Sequence, residues 1–487
     1  MSRRNAIIAA AAAAALLALI WALHKPAAAD IHSQSVVRVS MEGQNPDFYE
    51  PWKPGSTFGL EGAGCIVPGW RILTTAHMVN KSTYIEVKKY DQTRRYVAKV
   101  EAVDQDLDLA LLSVDDQSFF SGTVPVEFGG LPARGDKLLI QGGDKLAIKE
   151  DTVAAISLVH SEEAGRSLPA VLTSLEIEAT DNGCGVFCKG KLVGVPFDST
   201  DKPDKTGSLI PAPVIQRFLR GVQAGRGHDE VPSLGIYTQE LESLALKAHA
   251  KVPAKASGVL VSRVLYGGSA EGLLEEGDVL TAVDGHAVDG EGSVNLEGTG
   301  RIPMSYLTVF RLPGEALSLS ILRDGKPMQV RVPLKAGKGL VPYDEGERHP
   351  PYLMKAGFVF VPLTANYCAT GTWDYFKPMV QDLYYHGLAS KSRKQVVLIS
   401  HVLPHPINIG YGKLSDLIVA KVNGQPISEM ADLAPAFAKP LGGFDVIEVE
   451  DHPWYGTQVV LDAAEAETAT AQVMQMYGIA KDRSEGL

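Results

Sequence analysis

The chain has 487 residues, 45% hydrophobic and 21% charged, which is room for about three domains of roughly 150 residues, each with its own core. Its formal net charge of −11 and the lack of a long Lys/Arg run exclude a general nucleic-acid footprint. Its four cysteines, Cys65, Cys184, Cys188 and Cys368, form no CxxC pair and no disulfide framework; His401 and His405 run into Pro404 and Pro406, which stop one helix face presenting both rings, so a loop is expected there and neither metal nor cofactor is implied.

The chain begins with Arg3 and Arg4, an apolar run from Ala6 to Leu23, and then Lys25-Pro26-Ala27-Ala28-Ala29. A basic start, an apolar segment and an Ala-x-Ala end read as an export signal over residues 1–30. The run is longer than the usual signal core of about 7–15 residues and just long enough to span a bilayer, so residues 1–30 are a signal peptide or a signal anchor; retention at the membrane is expected, with the rest of the chain across it, periplasmic or facing the periplasm.

From Ile31 to Arg226 short apolar strands are broken by glycine and proline, for example SVVRVSM, RILTTAHMV and STYIEVKKY, which points to a barrel-type β domain. Two strand ends carry chemistry. In Leu73-Thr74-Thr75-Ala76-His77 a histidine closes a hydrophobic strand, and in Asp108-Leu109-Ala110-Leu111-Leu112 an acid opens one. A histidine held in one tautomer by a carboxylate is the base half of a hydrolytic triad. The plain alternative is a satisfied core histidine at His77 and a solvated turn at Asp104, Asp106 and Asp108; in this order, ahead of a hairpin at Lys189-Gly190, the pair favours a triad scaffold.

The stretch Glu176–Val195, EIEATDNGCGVFCKGKLVGV, has the shape that carries nucleophile and oxyanion hole in a chymotrypsin-type hydrolase. Its right-hand half is a hairpin turning at Lys189-Gly190. Counting back from that hairpin places Asn182 where the serine belongs, and a carboxamide is not a nucleophile that a histidine can activate. Cys184, between Gly183 and Gly185, is an alternative nucleophile, but it sits two residues nearer the hairpin than a nucleophile should. A buried, inert thiol is the other reading.

With these motifs the sequence resembles the Deg/HtrA family of trypsin-like serine proteases, and most closely its plant-type branch with two PDZ domains. The shared features are Leu73–His77, Asp108–Leu112, the early Gly62-Ala63-Gly64 and the domain-closing Ile210-Pro211-Ala212-Pro213-Val214-Ile215. The resemblance implies that His77 is the base and Asp108 its orienting acid. The departure is the loop before the hairpin, which is about four residues shorter than the plant-type pattern. A differently gapped alignment deletes the serine outright, so no serine remains either way.

Residues 224–232 and 335–351, polar and rich in glycine or proline, are expected linkers. Between them, 233–335 looks like a PDZ domain: Leu234-Gly235-Ile236 would supply backbone N–H groups for a peptide's terminal carboxylate, followed by a helical stretch to about Ala250. Residues 351–487, opening on Ala356-Gly357-Phe358 and closing with a helix from Ala463 to Tyr477, resemble the second PDZ-like domain, which the family uses more for assembly than for capture. The expected architecture is therefore mainly β: a chymotrypsin-like double β-barrel over 31–226 followed by two PDZ-like α+β domains. The expected function is that of an exported, homo-oligomeric (simplest as a trimer) pseudoprotease that binds unfolded or C-terminal peptides in protein quality control. Two alternatives stand beside it: a working endopeptidase using Cys184 or an unaligned serine, and a chaperone-like holder of unfolded chains.

Overall fold

The computed structural model describes residues 34–487, apart from 91, 143–146, 162, 175–176, 198–206, 227–230, 338, 344–349, 371–377 and 451–457. The expected N-terminal signal therefore lies outside the described residues; among these, no helix is long and apolar enough to cross a membrane.

Two closed six-stranded barrels come first. Barrel 1 is built from β1 (Val36–Pro46), β2 (Pro54–Val67), β3 (Arg71–Thr74), β4 (Ser82–Lys89), β5 (Tyr96–Asp104) and β6 (Leu109–Val114), in the order β1-β2-β3-β6-β5-β4. Barrel 2 uses β7 (Lys137–Gly142), β8 (Ala147–Ser161), β9 (Arg166–Thr173), β10 (Gly185–Cys188), β11 (Lys191–Pro196) and β12 (Gly207–Pro211), in the order β10-β11-β12-β9-β8-β7. The alternation in β1 explains the first closure: Val37, Val39 and Met41 point into barrel 1 beside Ile66, Ile72, Ile85 and Leu112. Residues of opposite parity or from the strand ends, including Ala63, Cys65, Leu73 and Leu109, join Leu138, Ile140 and Cys184 in a core between the barrels. Each leucine or isoleucine among them, wholly removed from water, contributes about 1.5–3 kcal/mol. The β10–β11 hairpin turns where the sequence places it, with Lys189 at φ 51° and Gly190 at φ 80°, the double left-handed geometry that matches strand twist.

Helix α1 (Ala212–Gln223) closes this part and buries Val214, Ile215, Arg217 and Phe218. The middle module follows as a sheet ordered Ile236–Glu240, Val259–Val264, Val279–Val283, Ala316–Arg323 and Lys326–Pro333, with His286–Ala287 pairing the third strand. Its entry and exit are clipped together, Pro232–Ser233 pairing Lys335–Ala336. The helix expected between Ile236 and Ala250 is confined to Leu244–His249; residues 236–240 form a strand, because Tyr237-Thr238-Gln239 suits the pleat and pairs with Arg263, Val261 and Leu260. The C-terminal module has the order Leu353–Lys355, Phe358–Pro362, Val397–Val402, Leu417–Val422, Phe444–Val449 and Gln458–Asp462. A helix spans Ala463–Tyr477, capped by Asp462, whose carboxylate accepts from Ala464 and Glu465, and ended by Gly478 at φ 67°.

Candidate functional site

Strand β3 runs from the core into a turn that delivers His77, and its neighbour β6 begins one residue after Asp108. Both oxygens of Asp108 serve His77: Oδ1 accepts from its backbone N–H at 2.9 Å, and Oδ2 lies 2.8 Å from Nδ1. An ionised carboxylate only accepts, so Nδ1 carries the proton and Nε2 presents a lone pair, the tautomer that general-base work requires. Asp108 holds this pose from a left-handed conformation (φ 51°, ψ 45°) that closes the 3-10 turn Gln105–Leu107. For a non-glycine residue that costs roughly 1–2 kcal/mol. The Asp108 side chain is 2% exposed and that of His77 14%.

Nε2 of His77 lies 3.3 Å from the hydroxyl of Thr75, a fully buried residue. With Nδ1 protonated, that hydroxyl is the donor. Thr75 was not singled out by the sequence, because a threonine beside a strand-ending histidine has an ordinary β-strand explanation.

Asp104 and Asp106 are not a solvated turn. Asp104 is buried: Oδ1 accepts from Leu107 N at 3.1 Å, and Oδ2 pairs with Arg217 Nη1 at 2.8 Å, the two side chains being 2% and 0% exposed. Burial pushes its carboxyl up to about 7, against the pull of Arg217. The Nε of Arg217 in turn donates to the carbonyl of Arg311 in the middle module at 3.1 Å. Asp106 pairs with Arg166 of barrel 2 and accepts from the Val231 amide at 2.8 Å. All three aspartates of Asp-Gln-Asp-Leu-Asp thus point to different partners, and their alternate spacing was the signal in the sequence.

Asn182 and Cys184 lie where the nucleophile was sought, on a segment folded tightly against barrel 1. A 3-10 turn (Ala179–Asp181) leads in, and Asp181 beneath it accepts from Lys149 Nζ at 2.7 Å and from Glu178 N at 3.0 Å. The carbonyl of Asn182 accepts from Ala63 N at 2.9 Å, while its Oδ1 is buried without a hydrogen-bond partner. Gly183, at φ 78°, approaches so closely that a Cβ there would lie 2.4 Å from the Ala63 carbonyl oxygen and 2.6 Å from Thr74 Oγ1. The amides of Asp181 and Cys184 donate to the carbonyls of Glu178 and Asp181, so neither is offered to a developing oxyanion. Cys184 is fully buried against Gly142, where a Cβ would fall 2.9 Å from its sulfur. Burial above all, then the negative charge of Asp181, raises its thiol well above the usual range.

In the middle module the Leu234 and Gly235 carbonyls accept from Ala270 N and Leu265 N, both at 2.9 Å, and Gly235 stands at φ 68°. The strand Ile236–Glu240 that follows is the outer one of its sheet: among the described residues it pairs only with Val259–Val264. His401 lies on a strand, Val397–Val402, rather than in a loop, while His405 caps the 3-10 turn Pro406–Asn408. No group of three or more metal-binding side chains occurs among the described residues.

Residues 62–195 match the trypsin-like peptidase domain family, and 341–486 match the PDZ domain family. Protease Do-like 2, chloroplastic, of Arabidopsis thaliana is 30% identical over 470 residues, covering 94% of this chain and 77% of its own. Putative protease Do-like 3, mitochondrial, of the same plant is 29% identical over 410 residues, covering 83% and 72%. Among solved structures, an HtrA-type protease AlgW with a decapeptide aligns at a TM-score of 0.48 and 17% identity, over 64% of this chain and 98% of that one.

Proposed function

The chain belongs to the Deg/HtrA (Do-like) protease family, and from that premise we propose that it is a catalytically impaired member acting through peptide binding and scaffolding in protein quality control. The observation that carries this reading is the placement of the residues offered as nucleophile. His77 and Asp108 are poised as base and orienting acid, yet Asn182 has no acidic proton to surrender, and the Cys184 thiol is fully buried against Gly142. A base with nothing to deprotonate does not support acyl-enzyme formation. The Thr75 hydroxyl at Nε2 satisfies the histidine instead, but a side chain with no exposed surface offers no access to a peptide carbonyl.

Peptide capture belongs in this reading to the middle module, 233–335, where Leu234-Gly235 leads into the outer strand Ile236–Glu240, whose other edge is free among the described residues for a peptide to extend. The C-terminal module, 351–487, serves assembly, with a trimer through the barrel domain as the simplest oligomer. Export and membrane attachment rest on the apolar run Ala6–Leu23 and its basic flank.

Cleavage of unfolded casein by the purified protein tests the central claim. No cleavage above that of the His77→Ala variant is expected. Cleavage that disappears in both His77→Ala and Cys184→Ala would instead establish an endopeptidase using the thiol. Suppressed light scattering from an aggregating client, with no preference for free C-termini, would favour the chaperone-like holder.

A further inference from the structure

Barrel 1, helix α1 and the middle module meet around a cavity of about 580 Å³ that the reading above does not use. Its size is that of a small-molecule site. Pro68, Phe128, Pro213, Leu219 and Phe310 make most of its wall apolar, and its polar lining consists of two arginines, Arg71 and Arg220, and two glutamines, Gln216 and Gln223. Among the described residues no carboxylate lines it. Arg71 is already paired through Nη1 with Glu101 at 2.8 Å. Arg220 is different: its exposed guanidinium donates to the Phe310 carbonyl at 3.3 Å and has no acidic partner among the described residues.

We propose that this junction cavity is a binding site for an amphiphilic carboxylate, an unbranched apolar chain whose single anionic head pairs with Arg220. The lining argues for the class. An arginine with its remaining N–H groups unpaired, at the mouth of an apolar hollow, attracts a planar anion in the geometry that a guanidinium recognises. A peptide fits less well, because the wall is a helix face, two prolines and aromatic rings rather than an open strand edge, and an extended backbone would leave its amides unpaired. An alkyl chain has no such groups to satisfy. A ligand lodged there touches barrel 1 through Pro68, the helix through Leu219 and the middle module through Phe310, so occupancy would also tighten the docking of that module.

Calorimetric titration of the full-length protein with decanoate, below its micelle concentration, tests the site against decanol of the same chain length. Decanoate is expected to bind about tenfold or more tightly than decanol, the scale of one charge-assisted contact. Arg220→Gln, at an exposed position, should erase that preference while leaving decanol binding unchanged. Gln216→Trp, also exposed on α1, should fill the cavity and weaken both ligands. Equal binding of decanoate and decanol, or decanoate binding untouched by Gln216→Trp, would overturn the proposal; the second result would place the ligand elsewhere on the chain.

Discussion

The two modules that follow the barrels open on comparable loops and end in opposite states. In the middle module, Gly235 (φ 68°) leads into a strand whose outer edge is free among the described residues. In the C-terminal module, Gly357 (φ 90°) leads into Phe358–Pro362, which lies between two neighbours, because the preceding Leu353–Lys355 doubles back to pair with it. The loop itself is used up there: Ala356 N donates to Thr470 Oγ1 at 2.8 Å, and Asn408 Nδ2 donates to the Ala356 carbonyl at 2.9 Å. A sheet edge captures a peptide only while its backbone groups are unspent, so a few residues of preceding chain decide whether such a module can receive a ligand or has in effect filled its own place.

Their attachments to barrel 1 differ as well. The middle module is held by charge and carbonyls: Arg217 bridges Asp104 and the Arg311 carbonyl, and Arg226 reaches the Pro313 carbonyl at 2.7 Å. The C-terminal module is held by rings. Phe48 joins its core, Tyr49 stacks on His401 with centroids 4.3 Å apart, and Trp52 sits edge-on to Tyr352 at 5.6 Å. Ser400 Oγ donates to the Val359 carbonyl and so accepts from His401 Nδ1, which leaves Nε2 a buried, unpaired acceptor. Burial, opposed by the charges of Glu50 and Asp47, lowers the ring to about 4.

The largest effect is expected from Asp104→Asn, which above about pH 8, where the carboxyl is ionised, leaves Arg217 buried without its counter-charge and should cost about 3–5 kcal/mol in urea unfolding at that pH. Asp104→Leu combined with Arg217→Met should recover most of it. Since Asp104 anchors the turn that ends at Asp108, the single variant should also disturb the NMR titration of His77, whereas a pair of purely local importance would leave that titration alone.

Acidification tests the other attachment. A histidine whose folded value lies below its ordinary 6.5 takes up its proton less readily when docked, so its contribution is complete above pH 6.5 and is lost as pH falls toward 4. The loss should amount to roughly 2–3 kcal/mol. Thermal unfolding of the C-terminal module followed from pH 7 to 4.5 should show the decline, and His401→Phe should flatten it; an unchanged slope in that variant would remove His401 from the explanation.

The smallest change separates the two loops. Gly235→Ala puts a Cβ 2.7 Å from Gly268 Cα and forces a left-handed alanine, so a loss of about 1–2 kcal/mol is expected together with weaker binding of peptides with free C-termini. Gly357→Ala, whose Cβ would meet the Leu403 carbonyl at 2.4 Å, should destabilise its module yet leave peptide affinity unchanged. Fluorescence anisotropy of a labelled peptide, compared with its amidated form, distinguishes the two; equal affinity for both forms would remove carboxylate capture altogether.

Local pattern was enough to read some of the barrel strands, such as those holding residues 37–41, Arg71–Thr74 and Ser82–Lys89, the turn at Lys189-Gly190, the helix from Ala463 to Tyr477, and the His77 and Asp108 motifs, because alternation, turn glycines and helix caps act over a few residues. The identity of residue 182 was equally plain in the sequence. Tertiary structure alone decided that Cys184 turns into the core against Gly142, that Thr75 meets the imidazole, and that Asp104 finds Arg217 across 113 positions of chain. It also decided which module keeps an open edge. These outcomes depend on which surfaces meet once the barrels have closed, and burial and pairing between distant segments leave no periodic trace in the order of residues.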